Sequence, residues 1–203
     1  MLNALVSAID RRLRIRDGIF EYSDCQRCIF RAQITESPRD IALSDGTCLS
    51  AGSPLINLHL WNEHIPPFPA QGPTIGWARQ MSRDLETSLE ELAAFLADRS
   101  ALEPVAAIGA NVMFGSTQQT QALAHLAARY GFIRAIDREG DSPTIAQRMH
   151  LLGEHILIFM LVIAYNPAAF RTDRFRRDRI SIYLHRSELM RRFGTPDGSA
   201  TAR

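Results

Sequence analysis

The stretch Leu55-Ile56-Asn57-Leu58-His59-Leu60-Trp61 alternates apolar and polar side chains. A strand places Ile56, Leu58 and Leu60 on one face and Asn57, His59 and Trp61 on the other. The apolar face has to lie against a core. The polar face needs hydrogen-bond partners or a wet cavity. A chain with this strand therefore contains a sheet with one covered side and one side that presents chemistry. Asn62, Glu63 and His64 follow directly, and prolines at 66, 67, 69 and 73 then force a crossover loop over Pro66–Pro73.

The rest of the chain supplies the covering elements. Leu2, Leu5, Val6, Ile9 and Leu13 recur at helical spacing, with arginines crowding the last turn and Gly18 beyond it. Strands are predicted over Ile29–Ile34 and Ile41–Leu43, with a hairpin turn at Ser44-Asp45-Gly46-Thr47 and another turn at Ala51–Pro54. Pro73 suits the first turn of a long helix from Thr74 to Asp98, whose stripe is Ile75, Ala78, Met81, Leu85, Leu89, Leu92 and Leu96. A strand over Val105–Phe114, a helix from Thr117 to Tyr130 ended by Gly131, and a strand over Phe132–Ile136 follow. Thr144 to Ala164 reads as a helix, apolar all round in its second half and stopped by Asn166-Pro167. Ile180–Leu184 is a last strand and Ser187–Phe193 a short helix closed by Gly194. The expected fold is α/β (α+β): a single mixed sheet covered by helices, one long and amphipathic, one largely buried and apolar. Residues 1–194 would form one domain and Thr195–Arg203 a disordered tail.

Composition excludes more than it assigns. All 23 basic residues are arginine, so Schiff-base, pyridoxal-phosphate and P-loop lysines are ruled out. A net charge of +1 gives no general attraction to nucleic acid. The three cysteines, Cys25, Cys28 and Cys48, argue against a disulfide framework and for a reducing compartment. No secretory leader is recognisable, and the apolar run Ile156–Tyr165 is about half of a bilayer span. The expected location is cytoplasmic, with peripheral contact at the inner membrane as an option.

The polar face and the strand end carry the main site hypothesis. His59 would act as a general acid/base with Glu63 or His64 as its partner, and Asn57, Trp61 and Asn62 would orient a ligand. The competing reading is a satisfied structural histidine beside a loop-anchoring asparagine. Zinc at Cys25, Cys28, Cys48, His59 and His64 would need two ligand pairs with matching spacing, and only one Cys-x-x-Cys exists, so no metal is expected. His150 and His155 are five apart, poor spacing for joint ligation. The Ser44–Thr47 turn is explained by turn chemistry. Gly109-Ala110-Asn111 and Gly115-Ser116-Thr117 could frame an anion-binding helix start but lack dinucleotide spacing. Arg171, Arg174, Arg176, Arg177 and Arg179 follow the apolar helix and would suit anionic headgroups or a phosphorylated substrate; a solvated, ion-paired loop is the plainer alternative.

Ala42-Leu43-Ser44-Asp45-Gly46-Thr47 followed by Leu55–Asn62 resembles the YkoP-like domain family, in which a Ser-Asp-Gly-Thr turn precedes a Leu-His-Leu-x-Asn strand. Gly72–Trp77 opening a long helix, and Ala164–Pro167 with the arginine-rich loop and Ile182–Gly194, extend the resemblance from about Arg31 to Gly194. Such domains occur alone or with polysaccharide-deacetylase-type and glycosyltransferase proteins, which implies envelope glycan or lipid metabolism. The family's histidine and asparagine correspond to His59 and Asn62, without roles attached. Cys25 and Cys28 have no counterpart in the pattern. More faintly, Val105–Phe114 and the helix ending Leu126–Phe132 resemble a GNAT-type N-acyltransferase, although its pyrophosphate loop is missing.

The leading expectation is a small enzyme acting on an envelope lipid or glycolipid intermediate without a cofactor. A non-catalytic binding module and an acyl-CoA-dependent N-acyltransferase are the alternatives. The expected partners are a small-molecule or lipid-like ligand and a second copy of the chain, with no nucleic acid.

Overall fold

A computed structural model describes residues 11–67, 69, 74–112, 125–136 and 180–194. Helix α1 includes residues 11–17, and Gly18 follows it at φ +66°, a left-handed stop that glycine accepts without strain. Strands β1 (Ile19–Phe20), β2 (Phe30–Glu36), β3 (Ile41–Ala42), β4 (Cys48–Leu49) and β5 (Pro54–Leu60) come next. Helix α2 (Ile75–Ala97) leads to β6 (Ala107–Val112). Residues 125–128 are helical (α3), and β7 (Ile133–Arg134), β8 (Ile180–His185) and α4 (Arg186–Phe193) complete the described elements.

The main sheet has six strands in the order β1-β2-β5-β6-β8-β7, and β3 and β4 form a separate hairpin. Only β5 and β6 pair in parallel among the described strands. A parallel pair requires a crossover, and α2 supplies it. The mixed sheet with one long amphipathic helix is the expected architecture. The apolar helix expected over Thr144–Ala164, the arginines 171–179 and the tail from Thr195 lie outside the described residues.

The register divides the sheet into two faces. On one, Ala32, Ile56, Leu58, Ile108, Ile182 and Leu184 pack with Leu89, Leu92, Ala93 and Leu96 of α2 and Leu189 of α4. Each fully buried leucine there contributes roughly 1.5–3 kcal/mol over an exposed one. Polar ties fix α2 on this face. The Ser88 hydroxyl donates to the Asp84 carbonyl (2.6 Å) and accepts from Ile29 N–H (2.9 Å), and Tyr22 donates to the Ser88 carbonyl (3.0 Å). The buried Asp84 carboxylate takes Arg27 Nε (3.0 Å) and Gln80 Nε2 (2.9 Å).

Two details of α2 differ from the sequence expectation. Thr74 is the N-cap, accepting from Trp77 N–H at 3.1 Å, so the first helical position is Ile75 rather than a proline. The apolar stripe is also buried only in its later half, and Ile75 is 74% exposed. A helix of 23 residues runs roughly 34 Å at 1.5 Å per residue. A strand of seven residues covers roughly 23 Å. The first turns therefore overhang the sheet.

On the opposite face, Leu55 and Ala107 pack with Ile41, Leu43 and Leu49 of the hairpin. Gly46, at φ +88°, turns that hairpin. Asp45 accepts from Thr47 N–H (3.0 Å) and Oγ1 (2.7 Å), which holds its carboxyl below the usual range. Thr47 Oγ1 also lies 3.1 Å from His185 Nε2, tying the hairpin tip to the end of β8.

Candidate functional site

Next to that hairpin, the same sheet face becomes polar. The register sets Gln33, Asn57, Gly109 and Tyr183 side by side across β2, β5, β6 and β8. One step along the strands, Arg31 is opposite His59, and Asn111 is opposite Ser181. The polar alternation in Leu55–Leu60 thus belongs to a surface four strands wide.

His59 is held in a defined way. Gln33 Nε2 donates to the Asp17 carbonyl at 2.7 Å, which turns Gln33 Oε1 toward the imidazole. His59 Nε2 lies 3.1 Å from that oxygen. An amide oxygen only accepts, so His59 Nε2 carries a proton, and in the neutral ring the base is Nδ1. The ring is half-buried on the polar face.

Gly109 sets the floor beside it. A Cβ on Gly109 would lie 2.7 Å from Asn57 Oδ1 and 3.1 Å from Tyr183 Cε1. The missing side chain lets the amide and the phenol ring close over β6 from both sides. Gly109 therefore lies within a strand, in contact with side chains; the helix start expected at Ser116-Thr117 lies outside the described residues. Asn111 Oδ1 accepts from the Ser181 hydroxyl at 2.9 Å, leaving the Asn111 amide hydrogens for other partners.

The residues after β5 make contacts of their own. Trp61 lies just past the strand, buried, with its N–H on the Ile29 carbonyl (2.8 Å). His64 stacks on Trp61 at 3.7 Å, and its Nδ1 donates to the Cys28 carbonyl at 2.8 Å. The Arg31 guanidinium lies 4.6 Å from the Trp61 ring centroid. Arg31 pairs with Glu21 (3.2 Å) and Glu63 (3.4 Å). The pairings shown for Glu63 and His64 are therefore with Arg31 and with Cys28 and Trp61. Gln33 is a partner of His59. Asn62 is half-buried in the turn between Trp61 and His64. Arg171, Arg174, Arg176 and Arg177 lie outside the described residues.

Sequence reasoning missed Gln33, Arg31 and Tyr183. A signal was present: Arg31, Gln33 and Thr35 alternate with Ala32 and Ile34, the mirror of the Asn57 and His59 pattern. Cys25 and Cys28 close a turn, and among the described residues no three His, Cys, Asp or Glu side chains gather as a metal site. No described helix is long and apolar enough to cross a membrane.

The architecture defines a class: an α+β domain whose mixed sheet is covered by helices on one face and carries a polar, histidine-centred patch on the other. The profile of the YkoP domain matches residues 4–119, more than half of the chain, and the protein belongs to that family. The match takes in the first helix and carries the resemblance as far as residue 119, covering Gln33, Asn57, His59, Gly109 and Asn111 but not Ser181 or Tyr183. Neither the curated proteins nor the solved structures yield a match.

Proposed function

We propose that the chain is a small enzyme acting on a lipid or glycolipid intermediate of the cell envelope, with His59 as its acid/base. The observation that carries this reading is the Asp17–Gln33–His59 hydrogen-bond chain, which assigns the proton to Nε2 and so makes Nδ1 the unprotonated nitrogen of the neutral ring. Gln33, Asn57, Asn111, Ser181 and Tyr183 on this face are uncharged hydrogen-bonding groups, suited to a hydroxylated headgroup, and the charge of Arg31, opposite His59, is paired with Glu21 and Glu63. The envelope context is taken from the company the family keeps. A cytoplasmic chain touching the inner membrane peripherally would meet such a substrate.

A second reading, a non-catalytic binding module, is favoured by one fact. The two groups expected to assist His59 are occupied elsewhere, Glu63 with Arg31 and His64 with Cys28. The acyltransferase reading depends on a helix start among residues 113–124, outside the described residues.

Native mass spectrometry with organic extraction would identify what copurifies with the chain. Wild type is expected to convert that molecule or its precursor, and His59→Ala is expected to fold and fail. Conversion by His59→Ala sinks the assignment of His59 as the acid/base, and tight retention without conversion by either protein leaves the binding module.

A further inference from the structure

We infer that Cys25 and Cys28 form a reversible dithiol–disulfide pair whose oxidation acts on the loop that follows β5. The inference is independent of the reaction proposed at His59. Cys28 N–H donates to the Cys25 carbonyl at 2.9 Å, closing a β-turn over Gln26 and Arg27. The ends of such a turn lie within about 7 Å. A disulfide needs Cα atoms about 4.4–6.8 Å apart. Both side chains pack against the same apolar cluster, Cys28 fully buried and Cys25 half-buried. Both are thiols in this structure. Cys48 sits apart, exposed on the β3–β4 hairpin.

A bridge closing so short a loop removes little chain entropy, so it is a poor staple. Bridges of that kind are the readily reduced ones, which suits a cycling pair better than a structural one. The exposure difference assigns the order of events. The half-buried Cys25 thiolate attacks one sulfur of a low-molecular-weight disulfide such as glutathione disulfide. The S–S bond breaks and the first glutathione leaves, taking up a proton. The buried Cys28 gives up its hydrogen bond to the Phe30 carbonyl (3.4 Å), loses its proton and attacks the Cys25 sulfur. The second glutathione leaves as a thiol. Two protein thiols are oxidised to one disulfide and one glutathione disulfide is reduced to two thiols.

The turn is placed to transmit the change. The Cys28 carbonyl accepts from His64 Nδ1 (2.8 Å), and the next carbonyl, of Ile29, accepts from Trp61 N–H (2.8 Å). The Ile29 N–H is bonded to Ser88 on α2. A shift of the Cys25–Cys28 backbone on bridging therefore pulls directly on both anchors of the loop beside the polar face.

The test equilibrates the folded chain with graded ratios of reduced and oxidised glutathione, blocks remaining thiols and measures intact mass. Wild type and Cys48→Ser are expected to lose two hydrogens, and Cys25→Ser to lose none. Trypsin cuts after Arg27, so the bridge would leave residues 17–27 and 28–31 joined. Ring resonances of His64 are expected to move on oxidation in wild type and to stay fixed in Cys25→Ser under the same treatment. The idea is overturned by a chain that keeps both thiols at the most oxidising ratio, by a stable glutathione adduct on Cys25 without bridging, or by a bridge that leaves His64 unmoved.

Discussion

Asn57 Oδ1 lies 2.7 Å from the point that a Cβ would occupy on Gly109, its neighbour in the parallel strand pair. The glycine is there so that a polar side chain can lie over the backbone next to it. Gly109→Ala should therefore push the amide aside and crowd Tyr183 while the sheet still forms. The expected cost is about 1–3 kcal/mol of unfolding free energy, as for other overpacked sites. Weaker retention of whatever molecule copurifies with wild type should accompany it. Undiminished ligand binding in native mass spectrometry would show that Asn57 is not a contact.

Ser88 joins three segments: its hydroxyl accepts from Ile29 N–H and donates to the Asp84 carbonyl, and its carbonyl accepts from Tyr22 Oη–H. Ser88→Ala leaves the Ile29 N–H buried without that acceptor. Urea denaturation should show a loss of about 1–3 kcal/mol. A change near zero would mean that water or a backbone shift replaces the bond.

Arg31 is almost fully buried, but its carboxylate partners Glu21 and Glu63 are partly exposed. Arg31→Ala strands two carboxylates that can rehydrate, so the cost should fall below the roughly 3–5 kcal/mol of a broken, fully buried pair. Glu63→Gln should lower stability slightly and leave turnover intact, in contrast to His59→Ala. Turnover lost in Glu63→Gln, with the fold retained, would restore Glu63 as the partner of His59.

Glu188 bonds Arg191 and Arg192 at the start of α4, and these bonds lower its pKa from 4.5 to about 2. A lowered folded-state value means that the contribution is fully present above the unfolded value and is lost as pH falls through the folded one. The stability difference between wild type and Glu188→Gln should thus be constant above about pH 5 and shrink between there and pH 2. Solvent exposure keeps it small. A difference that grows toward acid would contradict the sign.

Much of this fold was legible because its elements are locally specified. The alternation in Leu55–Leu60 gave the strand and its faces as far as His59, although Leu60, expected on the core side, is exposed; Gly46 and Gly52 gave turns, and the proline run ending at Pro73 gave the start of α2 to within two residues. The site was legible only along one strand. Gln33 is 26 residues from His59 and is brought to it by the β2–β5 register, which a single sequence does not encode in any local pattern. Glu63 and His64 look like partners of His59 because they are near it in the chain. The turn after Trp61 instead directs His64 to Cys28, and Arg31 captures Glu63. The overhang of α2 was equally hidden, since a helical stripe records periodicity and not where the opposing sheet ends.

The most direct test of the site is the position of the proton on His59, read by long-range proton–nitrogen NMR of the imidazole rings. The expected result is a neutral ring protonated at Nε2, shifting toward the other tautomer or a mixture in Gln33→Leu. A neutral ring protonated at Nδ1 in the wild-type chain would contradict the Gln33–His59 hydrogen bond, and with it the assignment of Nδ1 as the base.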